Sequence, residues 1–167
     1  MGKNRGFTLI ELMVTIAVLA IIATMAAPAF KDMMLAQNFN KSTQGLIATL
    51  NEARAQAVLT RTQVEIRMGV DVTSLTTDDK KLFDQKQLFL WNPSGEANLK
   101  SGSLNSIYFN LSGGICALDG STPPKCVPVS SDTSVEICNK TTGSDKKSKI
   151  VSISKMGTIQ QTTEGTC

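Results

Sequence analysis

Arg5-Gly6-Phe7-Thr8-Leu9-Ile10-Glu11-Leu12 decides how this chain is read, because a short basic leader passes through one glycine into an apolar run interrupted by a single carboxylate. From Phe7 to Ala27 nearly every residue is Leu, Ile, Val, Ala, Met or Phe. At about 1.5 Å rise per residue that stretch reaches across a hydrocarbon core of about 30 Å. A charged side chain inside such a segment costs roughly 2.5–3.5 kcal/mol on insertion scales, so Glu11 marks a position with a dedicated partner. Lys3 and Arg5 precede the run. By the positive-inside rule they keep the N-terminus cytoplasmic and send the rest of the chain outward.

Two commonplace readings compete. A secretory signal has an uncharged apolar region of about 7–15 residues, whereas this one is longer, contains Glu11 and offers only the poor cleavage site Ala27-Pro28-Ala29. A plain single-pass anchor gains nothing from a carboxylate in its span.

Gly6-Phe7-Thr8-Leu9-Ile10-Glu11-Leu12-Met13-Val14 resembles the class III leader of type IV pilins and of the related type II secretion pseudopilins. The resemblance implies that a prepilin peptidase cuts between Gly6 and Phe7 and methylates the new amine of Phe7, making Glu11 the fifth mature residue. The physics is coherent with that scheme. A cationic amine at Phe7 can meet a neighbouring subunit's Glu11 inside an apolar helix bundle, where an effective dielectric near ~20 strengthens the attraction several-fold over water. Because removal of one partner strands the other charge, Phe7 and Glu11 are expected to set subunit register.

Working outward, Pro28 ends the apolar run, deletes a backbone donor and is expected to kink a continuing helix, and many pilins carry a proline at this depth. Helical character continues from Lys31 to about Thr60. Leu46, Leu50, Ala53 and Ala57, with Ile47 and Val58 beside them, recur at helical spacing and predict a face that rests on a globular body. Gly45 weakens the case for continuity there. Near Arg61 the period changes. Val64, Ile66 and Met68 alternate with Gln63, Glu65 and Arg67, which predicts a half-buried strand over 62–68. Further short strands are expected at 87–91, 106–111, 134–138, 149–154 and 158–161, between Gly-, Pro-, Ser- and Asp-rich turns. Residues 70–84 read as a polar loop or irregular hairpin, with Asp78 and Asp79 on a solvated surface.

Residues 61–167 suffice for one small domain and not two. Aromatic residues are 5% of the chain, so the core is modest and is expected to lean on helix packing and disulfides. All four cysteines follow the apolar run, as an oxidising compartment would allow. Of the three pairings, Cys116 with Cys126 and Cys138 with Cys167 are favoured: the first closes a turn containing Gly120, Pro123 and Pro124, and the second secures Cys167. Zinc is disfavoured by the absence of histidine and of any C-x-x-C element.

No histidine means no Ser-His-Asp or Cys-His arrangement, and neither a phosphate loop nor a dinucleotide glycine fingerprint occurs, so nothing recommends an enzyme and no cofactor is expected. Lys140, Lys146, Lys147, Lys149 and Lys155 form a late basic cluster, candidate nucleic-acid contacts if they share one face. Against that reading, loss of Lys3 and Arg5 would leave 15 basic and 14 acidic side chains, and no arginine follows Arg67. A solvated loop is favoured.

Within the pilin superfamily, Leu46 to Val64, with Asn51-Glu52-Ala53-Arg54-Ala55-Gln56-Ala57-Val58, resembles the helix-to-first-strand segment of the GspH/FimT/FimU minor-subunit family. Ile153-Ser154-Lys155-Met156-Gly157-Thr158-Ile159 and Cys167 look most like FimU. The arginine-bearing glycine motif of DNA-binding FimT proteins is not reproduced by Lys155-Met156-Gly157-Thr158. That weakens a DNA-receptor reading, while a GspH-like secretion pseudopilin keeps the same leader and helix. The expectation is an α+β pilin fold: leader 1–6, N-terminal helix 7–60 with 7–27 in the membrane, and a small antiparallel β head over 61–167. The resemblance implies a minor pilin, inner-membrane held with a periplasmic head and later near the filament tip. Its implied partners are other minor pilins, the major pilin, a tip adhesin, the prepilin peptidase and the inner-membrane assembly platform.

Overall fold

Helix α1 (Leu9–Thr60) opens the structure, a computed structural model describing residues 7–121, 124–140 and 146–167, with the side chains of Pro28, Ala29 and Gln161 outside that description. The leader 1–6, and with it Gly6, also lies outside the described residues. The chain divides into two compact units, Met1–Met34 and Leu35–Cys167. In the first unit the helix is long and apolar enough to cross a membrane, and its described side chains from Phe7 to Met34 are all exposed. Helical assignment runs through position 28, so the proline does not end the helix. The expected kink itself falls on a residue whose side chain is not described.

The second unit begins within the helix, because the helix supplies a wall of its core. Phe39, Leu46, Leu50, Ala53 and Ala57 are buried on one face, as three- and four-residue spacing dictates. Val58, expected beside that face, is 47% exposed. Gly45 does not interrupt α1. A Cβ there would stand 3.4 Å from the Trp91 indole nitrogen, so the missing side chain makes room for the protein's single tryptophan. Truncating Leu46 or Leu50, both essentially inaccessible, would cost about 2–5 kcal/mol.

After the helix come β1 (Val64–Met68), a short 3-10 turn (Val72–Ser74), α2 (Thr77–Asp84), β2 (Leu88–Trp91), β3 (Asn98–Leu99), β4 (Ser106–Phe109), β5 (Ile115–Leu118), β6 (Cys126–Pro128), β7 (Thr133–Cys138), β8 (Lys147–Ile153) and β9 (Ile159–Thr166). They form two sheets, ordered β2-β1-β4-β5-β6 and β3-β7-β8-β9. Val64, Ile66, Ile107 and Phe109 from the first sheet and Val135, Ile137, Val151 and Ile153 from the second join the helical face in one hydrophobic cluster. The long N-terminal helix followed by a small, mostly antiparallel β domain is an α+β arrangement of the pilin type.

The β head is mostly antiparallel, as expected, and contains one parallel pair, β1 beside β2, with Glu65 opposite Leu88 and Met68 opposite Trp91. A parallel pair needs a crossover, and α2 provides it. Residues 70–84 are therefore not a loop or hairpin. Thr76 caps α2 by accepting from the Asp79 backbone N–H, while the Asp79 carboxylate accepts from the Thr76 N–H, a reciprocal box that was present in the sequence as Thr76-Thr77-Asp78-Asp79.

Disulfides join Cys116 to Cys126 and Cys138 to Cys167, with Cα separations of 5.3 and 6.0 Å. The first ties β5 to β6 and the second ties the end of β7 to the residue after β9. The longer loop restricts the unfolded chain more. Replacing Cys138 and Cys167 together by serine is expected to lower stability by about 3.5 kcal/mol, and Cys116 with Cys126 by about 3 kcal/mol, read from denaturant unfolding of the full chain in detergent.

Candidate functional site

Thr8 stops the chain from fraying where the apolar helix begins. Its hydroxyl accepts from the Glu11 N–H at 3.3 Å, and the Glu11 carboxylate Oε2 accepts from the Thr8 N–H at 3.1 Å and from the Thr8 hydroxyl at 2.9 Å. Thr-x-x-Glu is thus a capping box, with Thr8 at the cap and Glu11 in the first turn. The carboxylate lies at the positive end of the helix dipole, which favours a negative charge there. Both bonds use Oε2, and Oε1 accepts no hydrogen bond among the described residues. Sequence reasoning placed Glu11 correctly as the only charged residue of the run but missed this local partner, although the spacing announced it. Phe7, one residue before the cap, is 84% exposed. The arrangement therefore presents a helix end with an anchored carboxylate, an available oxygen and a residue whose backbone nitrogen adjoins it in the chain.

A second cluster explains two segments that the sequence singled out separately. Arg54, from Asn51-Glu52-Ala53-Arg54, donates from Nε to the Gly113 carbonyl at 3.1 Å and from Nη2 to the Met156 carbonyl at 3.2 Å. Gly113 and Gly157 adopt φ of +80° and +78°, and a Cβ on Gly157 would lie 1.9 Å from the Gly113 carbonyl oxygen. The helix thus clamps the β4–β5 and β8–β9 turns together. The Lys155-Met156-Gly157 turn is spent on holding the head together.

Arg67 holds α2 to the sheet. Its guanidinium meets Glu65 at 2.6 Å and Asp79 at 2.8 Å, and Tyr108 donates to Glu65 at 3.1 Å. Glu65 first and Asp79 second stabilise the charged guanidinium. Thr76 foremost, and also Arg67, hold the Asp79 carboxyl below the usual carboxylate range. Asp79 is therefore not simply a solvated residue, whereas Asp78 is exposed and pairs with Lys81 at 3.1 Å. A carboxyl whose pKa is lowered by folding contributes stability above its unfolded value, near ~4, and that contribution is lost as pH falls through the folded value. The melting temperature of the full chain is expected to fall on acidification below about pH 4, with a shallower slope for Asp79→Asn. An identical slope for that variant would exclude the clip as a contributor.

The lysines do not form one surface. Lys147 starts β8 with Lys146 just before it, and Lys140 follows Asn139, whose N–H bonds the Lys147 carbonyl. Lys149 donates to Asn40 and lies 5.2 Å above the Phe39 ring. Lys155 lies in the turn past the far end of β8, whose seven residues at about 3.3 Å each separate it from Lys147. Lys147 and Lys149, two residues apart on β8, share a face and line one cavity, and Lys155 does not join them.

An exposed apolar helix with a capped carboxylate at its start thus precedes a β-rich head. Residues 1–27 match the family described as the prokaryotic N-terminal methylation motif. Over 41 residues the chain is 46% identical to the fimbrial protein EcpB of Eikenella corrodens, a stretch covering 25% of this chain and 26% of that protein. The chain thus aligns with about a quarter of that curated relative's length. No solved structure matches.

Proposed function

We propose that this chain is a structural subunit of a type IV pilus, and within it a minor pilin of the initiation and tip complex. The observation that carries the reading is the methylation motif continuing into an exposed apolar run, from Phe7 to Ala27, whose one carboxylate is fixed at the first turn of the helix. On this reading the peptidase cuts between Gly6 and Phe7, the amine of Phe7 is methylated, and the helix holds the subunit in the inner membrane with its head in the periplasm. Assembly then transfers the helix from lipid to a bundle of neighbouring helices, where Oε1 of Glu11 meets the amine of an adjoining Phe7. The finer assignment to the FimU branch is supported by the two segments that Arg54 clamps together and by Cys167. Other minor pilins, the major pilin and a tip adhesin are its neighbours on this reading, and the assembly platform receives it.

Deletion in the native host tests the proposal. Loss of surface filaments is the expected result. Retained exoproteins with filaments intact would place the chain in a secretion pseudopilus instead. Salt-sensitive DNA binding by the purified protein, with piliation retained on deletion, would make it a DNA receptor; the separation of Lys155 from the other lysines disfavours that outcome.

A further inference from the structure

We propose that the end of the head where α1 finishes is a docking face for a different subunit, taken up by a segment that places an aliphatic side chain beside carboxylates. The inference deepens the filament reading and rests on it. The sequence segments 51–58 and 153–159 meet at this end with the β4–β5 turn, through the bonds from Arg54 to the Gly113 and Met156 carbonyls. That clamp uses backbone oxygens and leaves the neighbouring side chains over. Val58, Leu111 and Met156 are 47%, 55% and 66% exposed. Val58 and Leu111 line an open cleft of about 520 Å³ with Arg61, Asn110 and Ser112. Arg54 links the cleft to Met156, since a Cβ on Gly113 would stand 2.9 Å from Val58 and 3.2 Å from Arg54. An apolar patch rimmed by polar groups is the usual mark of a surface that meets another protein.

The face is formed before any partner arrives. Asn110 Oδ1 accepts from the Ser112 N–H at 3.0 Å, the Ser112 hydroxyl at 2.8 Å and the Gly114 N–H at 3.0 Å. Leu111 is therefore carried on a turn that is already fixed, and docking does not have to order it.

Charge selects the occupant. Arg54, Arg61 and Lys155 rim the aliphatic side chains, and among the described residues none of the three is in an ion pair. The carboxylate bonded into these turns is that of Asp132, whose oxygens accept from the Lys155 N–H and from the Gln160 side chain, each at 3.0 Å. Glu52 stands about 160° round the helix from Arg54, and Glu65 is held by Arg67 and Tyr108. Three cations thus face one occupied carboxylate. The surplus favours an acidic partner, and Val58, Leu111 and Met156 favour an apolar contact within it. Nucleic acid would use the cations and waste the rest, because none of the three apolar side chains is a ring on which a base stacks. A second copy docking by the same face would set these cations against their own counterparts.

The test introduces the photo-crosslinker p-benzoylphenylalanine into the full chain in the native host, at Ser112 in one strain and at Leu12 in another, and maps the adducts by mass spectrometry. Expected are adducts from Leu12 to neighbouring helices, and adducts from Ser112 to one carboxylate-bearing segment of a different subunit. Arg61→Gln combined with Lys155→Gln leaves the Arg54 clamp in place, and is expected to lower the Ser112 adduct roughly fivefold with the Leu12 adduct unchanged. Amides in place of the mapped carboxylates, a change that leaves this chain untouched, should give the same loss. Ser112 adducts only to a second copy, to nucleic acid or to a segment without carboxylates would overturn the docking face and leave the filament reading standing. So would a Ser112 adduct that neither set of substitutions lowers, or none at all while Leu12 still crosslinks. Failure of both positions to reach another subunit would remove the filament reading, and the docking face with it.

Discussion

Alanine in place of Glu11 is expected to leave the chain in the membrane and out of the filament. The apolar run loses its one charge, so insertion becomes easier and the membrane fraction keeps its protein. Assembly fails because a cationic amine would enter the helix bundle without a counter-charge, and stranding one member of a buried pair costs about 3–5 kcal/mol. That corresponds to a factor on the order of 100 or more in incorporation. The capping box allows a sharper version. Glutamine at N3 of such a box still reaches back to the cap, so Glu11→Gln keeps the bonds to Thr8 and removes only the charge. Both variants should be missing from sheared filaments on immunoblot. If Glu11→Gln assembles normally and Glu11→Ala does not, the carboxylate serves the helix cap and not an intersubunit ion pair.

Gly157→Ala is expected to be the most damaging single-methyl change in the head. The alanine would have to adopt φ of +78° and place its Cβ 1.9 Å from the Gly113 carbonyl oxygen, which itself accepts from Arg54. Neither turn can yield without disturbing the clamp that also holds the Met156 carbonyl. A cost of roughly 2–4 kcal/mol, or on the order of 10 °C in melting temperature, follows. Gly102→Ala is the comparator: φ is +85° there, but nothing lies within 4 Å of the new methyl. It should cost only about 1 kcal/mol, the conformational penalty alone. Equal losses for the two variants, followed by circular dichroism of the full chain in detergent, would show that the close approach is not what the glycine protects.

Local signals in the sequence were strong where a pattern was long. The four residues Leu46, Leu50, Ala53 and Ala57 define the buried helical face without help from tertiary structure, and Val64-Glu65-Ile66-Arg67-Met68 defines a strand by alternation alone. Three strands were not legible. Asn98–Leu99 and Cys126–Pro128 span two and three residues, too few to establish a period, and Ile115–Leu118 does not alternate, its first two residues both being buried; all three exist because neighbouring strands pair with them. The parallel β1–β2 pair follows from a helix that Thr76 and Asp79 start in a stretch whose polarity reads as loop. The same kind of box joins Thr8 and Glu11, where the apolar surroundings of the carboxylate point to a distant partner and the three-residue spacing points to a near one. Non-local closeness was the least accessible of all. Arg54 and Met156 are 102 positions apart, and only the folded chain brings the helix to both turns.

The filament account depends on a covalent event at the N-terminus, and the N-terminal peptide of the protein recovered from its native host reads it directly. Mass spectrometry should find a peptide beginning at Phe7 with one added methyl group on its amine. A peptide from the functional protein that still contains Met1 to Gly6 would contradict the account.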